Sequence, residues 1–172
     1  MSRGPRRAGV ILGATLVASM LAGPAPGLAG QRPPTLPNPT LTADLDGVPI
    51  DLRSVGDHFC HDFAYPQIHC FSKSASLAQA VQPILAASGV TYVIGFDYTS
   101  FQGPYMYFSQ DYTVLATIGW NDRISSFVGQ SSQSGRFWTD WFYLGTSYTF
   151  CCNQQVPSLG SYDNSFSSVY RV

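Results

Sequence analysis

The sequence predicts a mainly β chain: a sandwich of two Greek-key motifs, preceded by a short helix and a cysteine-containing N-terminal extension. Three observations predict it. After Gly89, apolar residues come in short β-branched and aromatic runs (VTYVIGFDY, YMYFS, TVLATIGW, ISSFVG, RFWTDWFYL, SYTFCC, SVYRV) parted by Gly, Ser, Asn and Asp, the pattern of strands between tight turns. Residues 96–127 align without a gap on 138–169 at an offset of 42, placing Phe96 on Trp138, Phe101 on Tyr143, Gly103 on Gly145, Phe108 on Phe150, and Ser125 and Ser126 on Ser167 and Ser168. That coincidence of aromatic, Gly and Ser positions is a duplication. Finally, all ten acidic residues are Asp, and Lys73 is the only lysine, a bias toward turns and caps over exposed helix.

The elements follow in order. Residues 1–29 read as a signal peptide: Arg3, Arg6 and Arg7 precede an apolar run from Ala8 to Ala22, and Gly27 and Ala29 stand where a signal peptidase cuts. The run is too short for a good membrane span. The paired arginines hint at twin-arginine export, but the rest of that signal is missing, so the general route is expected. Residues 30–43, with four prolines in a polar setting, form a linker. The extension, 44–89, opens with DLDGVPIDL, a strand or short hairpin around Asp46-Gly47. Asp44 and Asp46 resemble the start of an EF-hand loop only superficially, because a third oxygen ligand and a closing Glu are missing. SASLAQAVQPILAASG is the one persuasive helix, with Ser74 or Ser76 as cap, Leu77, Val81, Ile84 and Leu85 at helical spacing, Pro83 as a kink and Gly89 as the stop. Residues 90–172 hold the two motifs, about 92–130 and 134–172.

Charge and cysteine content narrow the function. Without the three arginines of the leader, six basic residues face ten acidic ones, so the mature chain carries about −4 and offers nucleic acid no basic patch. Four cysteines in an exported chain read as two disulfides of open connectivity. Neighbouring cysteines seldom bond without strain, so Cys151 and Cys152 are expected to reach Cys60 and Cys70, with a Cys60–Cys70 bond a close alternative.

HFCHDFAYPQIHC gathers His58, His61 and His69 with Cys60, Cys70 and Asp62. Zinc would accept such ligands, but oxidised cysteines cannot ligate, so a disulfide-closed loop with surface histidines is expected. Catalysis has little support: there is no Glu, no nucleophile elbow and no Cys-x-x-Cys. The expectation is a protein that is not an enzyme. The aromatic richness around Trp138 and Trp141 is expected to be packing rather than a sugar platform.

The repeated motifs carry a family resemblance. FDYTSFQG (Phe96, Phe101, Gly103) and WTDWFYLG (Trp138, Tyr143, Gly145) resemble the opening signature of βγ-crystallin motifs, while NDRISS and DNSFSS resemble that family's calcium loop. Both motifs recur in the same order at one offset, over about half of the precursor. The resemblance implies two calcium ions, one per motif. Asn121, Asp122 and Ser125 would line one loop and Asp163, Asn164 and Ser167 the other, each site being completed by the first hairpin of the opposite motif. Asp140 is a candidate completing ligand, but its counterpart is Tyr98. Ser126 and Ser168 would pin the folded hairpins, which Gly103 and Gly145 permit.

Calcium is a hard cation that takes six to eight oxygens, and amides, carboxylates, hydroxyls and carbonyls all qualify. One carboxylate per loop implies a dissociation constant on the order of 10 µM to 1 mM. The leading expectation is therefore a secreted, calcium-binding, non-catalytic module. The alternative is a secreted inhibitor of extracellular metalloproteinases, a group that also resembles a disulfide-bonded βγ-crystallin, with a toxin of the killer-toxin type a weaker third. Calcium is the expected partner and an extracellular protease the alternative one, with no nucleic acid and no stable membrane insertion; the oligomeric state is left open.

Overall fold

The computed structural model describes residues 40–87, 89–130 and 132–172. The expected signal peptide and residues 30–39 of the expected linker lie outside them. Eleven strands are present among the described residues: β1 (Thr42–Leu45), β2 (Val48–Ile50), β3 (Phe59–Ala64), β4 (Gln67–Phe71), β5 (Val93–Tyr98), β6 (Gln102–Phe108), β7 (Ser126–Gly129), β8 (Ser134–Trp138), β9 (Ser147–Cys151), β10 (Gln155–Val156) and β11 (Ser168–Arg171), with one α-helix, α1 (Ser74–Ala86), between β4 and β5 and five short 3-10 turns elsewhere.

The strands form an eight-stranded sheet in the order β10-β7-β5-β6-β3-β4-β1-β2 and a three-stranded sheet in the order β11-β8-β9. The two motifs exchange strands. β10 of the second motif pairs with β7 of the first, and Tyr112 of the first motif bridges Val169 on β11 of the second. Each motif thus completes the sheet of the other.

Packing explains the order. Val93, Met106, Phe108 and Phe127 on the first sheet and Phe137, Phe150 and Val169 on the second alternate inward and are buried in one core. Phe127 meets Phe137 across the two sheets at a centroid distance of 5.4 Å. Gly95 is small because a Cβ there would stand 2.9 Å from the Phe108 ring.

The extension is part of this architecture. β3 pairs in parallel with β6 and β1 in parallel with β4, so residues 42–71 lengthen the first sheet by four strands. Their inward residues Ala43, Cys60, Ile68 and Cys70 continue the same core. On the opposite face, α1 buries Leu77 and Val81 and packs on β3 and β4. An aromatic layer, Phe59, His61, Phe63, Phe71, Tyr92, Tyr105 and Tyr107, runs over that face through ring contacts of 5.1–6.2 Å.

Three details differ from expectation. Lys73, with no side-chain cap bond, precedes α1, and Ser74 is its first residue. The disulfides are Cys60–Cys70 and Cys151–Cys152, not bonds between the pairs. The reason is topological: the hairpin register sets Cys60 directly opposite Cys70, while Cys151 ends β9 in the other sheet and is exposed. Last, the histidines are not at the surface: His58 and His69 are half-buried. His61 lies 4% exposed between the Phe63 and Phe71 rings, and His69 Nδ1 contacts Asp44 Oδ2 at 2.7 Å. Burial and then the neighbouring His69 push the His61 pKa down to about 4.

Candidate functional site

The two serine loops are built alike because their anchoring bonds repeat. Ser125 N–H donates to Phe96 O at 2.9 Å and Ser167 N–H to Trp138 O at 2.8 Å. One residue on, Ser126 Oγ donates to Tyr98 O at 2.6 Å and accepts from Phe101 N–H at 3.0 Å, as Ser168 Oγ does with Asp140 O at 2.7 Å and Tyr143 N–H at 3.1 Å. Each hydroxyl ties the last strand of a motif to its first hairpin. Those hairpins fold over at left-handed residues: Ser100 and Phe101 (φ 58° and 62°), then Phe142 and Tyr143 (58° and 63°). Gly103 and Gly145 follow at φ 78° and 76°, where a side chain would strike the Tyr98 ring or the Asp140 carboxylate.

The loops cross between motifs. Asp122 N–H donates to Phe166 O at 2.9 Å, and Asn164 N–H donates to Ile124 O at 3.2 Å, which lays the two segments side by side. Ser125 Oγ consequently meets Asn164 Oδ1 at 3.0 Å, and Ser167 Oγ meets Asp122 Oδ1 at 3.4 Å. Each serine therefore shares its hydroxyl with the other loop rather than with the Asn and Asp of its own. Both serines are buried, whereas Asp122, Asp163 and Asn164 are exposed and Asn121 is half-buried. Asn121 Nδ2 donates to Asp122 Oδ2 at 2.6 Å and its Oδ1 accepts from Trp141 Nε1 at 3.0 Å, bringing the second hairpin onto the first loop. Asp140 and Ser167 line one depression there.

This donor set suits a hard cation. Calcium takes its oxygens at 2.3–2.6 Å, which puts neighbouring ligand oxygens roughly 3 Å apart. The two crossed pairs have that spacing. Among the described residues there is no group of three His, Cys, Asp or Glu placed to hold a metal, so hydroxyl, amide and main-chain oxygens would have to supply most of a shell here.

Two charged residues whose partners sequence reasoning did not foresee hold these parts in place. Arg123, the third residue of NDRISS, forks onto Asp97 at 3.0 and 2.8 Å and reaches Asp57 Oδ1 at 2.7 Å. These bonds, that to Asp97 foremost, push its pKa up against burial. Asp62 is fully buried at the inward end of β3 and accepts from Ser109 N–H at 2.6 Å, Gln110 N–H at 3.2 Å and the Tyr112 hydroxyl at 2.9 Å. Burial raises its pKa, opposed by these donors and by Arg171. The sequence set Asp62 among possible zinc ligands, and its place two residues after inward-facing Cys60 was the one local signal of its burial.

The sequence matches no family model and no curated protein. Among solved structures, a βγ-crystallin from Ciona intestinalis is 27% identical over 47% of this chain and 99% of its own, with a TM-score of 0.43. A βγ-crystallin from an archaeon is 26% identical over 49% of this chain and all of its own (TM-score 0.43), and a βγ-crystallin domain from Clostridium beijerinckii 21% identical over 46% and 95% (0.42). Two gapless Greek-key copies, a reciprocal strand exchange and paired folded hairpins give residues 93–171 a βγ-crystallin-like fold, enlarged here by four strands and a helix from the preceding segment.

Proposed function

We propose that the protein is a secreted calcium-binding module that acts by binding and not by catalysis. One observation carries the reading. Two oxygen pairs, Asp122 with Ser167 and Asn164 with Ser125, repeat at the 42-residue offset with separations of 3.4 and 3.0 Å. A purely structural turn has no need of a second motif's hydroxyl at each copy.

Asp122 and Ser167 would hold one ion, with Asp140 beside them, and Asn164 and Ser125 the other; main-chain carbonyls and water would complete each shell. An ion at either place would clamp one motif to the other, so its benefit is mechanical strength of the sandwich in an extracellular medium. Saturation at a hundred times the dissociation constant would add about 2.7 kcal/mol of stability.

Calorimetric titration tests the reading. Two calcium ions should bind, the melting temperature should rise, and joint Ser125→Ala and Ser167→Ala substitution should abolish both. An unchanged melting temperature in several-fold excess of millimolar calcium would end the proposal.

A further inference from the structure

We propose that the hairpin of residues 140–145 is a calcium-gated docking tip for anionic phospholipid surfaces, a reading that rests on the calcium site proposed above. The molecule contains its own control. The two folded hairpins have matching backbone angles at all three special positions, yet Thr99, Ser100 and Gln102 stand in the first where Trp141, Phe142 and Leu144 stand in the second. The fold therefore does not require apolar residues there. Trp141, Phe142 and Leu144 are 50%, 61% and 61% exposed, a run of large apolar side chains of the kind that marks an interaction site.

The chemistry beside the tip selects the partner. Trp141 is hydrogen-bonded to Asn121 of the first calcium loop, and the tip shares a depression with Asp140 and Ser167. Acidic residues outnumber basic ones in the described chain, so an anionic surface is repelled until a cation sits at Asp122, Asp140 and Ser167. A calcium ion held from one side retains coordination positions that phosphate and carboxylate oxygens of a headgroup can fill. Trp141 suits the headgroup level, and Phe142 and Leu144 suit the acyl boundary beneath it. Three side chains are too few for a stable protein interface, which covers roughly 800 Å² per partner, whereas a lipid surface needs no complementary shape.

Sedimentation with vesicles of phosphatidylcholine, with and without phosphatidylserine, tests this in calcium and in chelator. The wild-type protein should partition only onto phosphatidylserine vesicles in calcium. Phe142→Ser with Leu144→Gln, which installs the first hairpin's residues, should keep the calorimetric calcium heat while weakening partition by about 100-fold. Calcium heat without vesicle binding overturns the proposal, as does equal partition of the double variant, or a calcium-induced dimer in place of vesicle binding. Absent calcium heat overturns the calcium reading itself, and tip-dependent partition that then ignores the chelator overturns the gate.

Discussion

The two motifs share one backbone and differ in what has been attached to it. The first is embedded: β3 covers the edge of β6, and Arg123 ties its loop to Asp97 and, outside the motif, Asp57. The second leaves β9 at a sheet edge among the described residues and carries Asp140 and an apolar tip where the first has Tyr98 and polar residues. One copy carries the extension, and the other presents exposed Trp141, Phe142 and Leu144 to solvent. Duplication permits that division, because each copy needs only the shared aromatic, Gly and Ser positions to fold.

The largest blow to the anchored half should come from Asp62→Ala. It strands the buried Ser109 N–H, the half-buried Gln110 N–H and the Tyr112 hydroxyl, so denaturant unfolding should report a loss of about 3 kcal/mol. The loss should be several times that of Asp163→Ala at the exposed second loop; equal losses would mean that β3 docks without Asp62.

A pH effect also belongs to this half. His61 has a folded pKa near 4 against about 6.5 unfolded, so the unfolded chain binds the extra proton between those values. Stability from this group is present above pH 6.5 and is lost as pH falls toward 4, by on the order of 2–3 kcal/mol. His61→Phe, measured by melting temperature across that window, should flatten the decline.

Ser126→Ala and Ser168→Ala probe what the copies share. Each removes one donated and one accepted bond, for about 1–2 kcal/mol apiece. Similar losses are expected, and a large inequality would show that one hairpin is held by other means. The smallest effect sharpens the contrast between the loops: Asp140→Asn should weaken the first proposed calcium site by about tenfold, and Tyr98→Asp should strengthen the second, since ligand charge tunes affinity. Two-site fitting of calorimetric data distinguishes the two.

Local rules made much of this readable. Asp46-Gly47 turns β1 into β2, Leu77 and Val81 lie on the buried face of α1, and the 42-residue offset carries through to matching hydrogen bonds. What could not be read is non-local. The exchanged strands are a two-residue β10 and a single bridge at Tyr112, too short for a periodic signal, and the parallel pairing of β3 with β6 leaves no turn signature. The serine positions in NDRISS and DNSFSS were visible, but their crossing was not, because it depends on the packing of two sheets. A two-residue turn at Tyr65 and Pro66 would by itself set Cys60 opposite Phe71; the register shift between His61 and Ala64 brings it opposite Cys70, and such a bulge leaves no mark in the sequence.

The strand exchange has a consequence for ancestry and assembly. A single motif cannot satisfy its own third strand, so a lone ancestral copy would find that strand in a second molecule and exist as a symmetric, concentration-dependent pair. Joining the copies in one chain replaced that encounter with an internal one, at an effective concentration of millimolar order. The hypothesis predicts that an isolated second motif, residues 132–172, gains β structure only as a dimer; ordered monomers on dilution, seen by circular dichroism and sedimentation, would refute it. In the joined chain the first motif was then free to acquire new strands at its outer edge without disturbing a partner it could no longer lose.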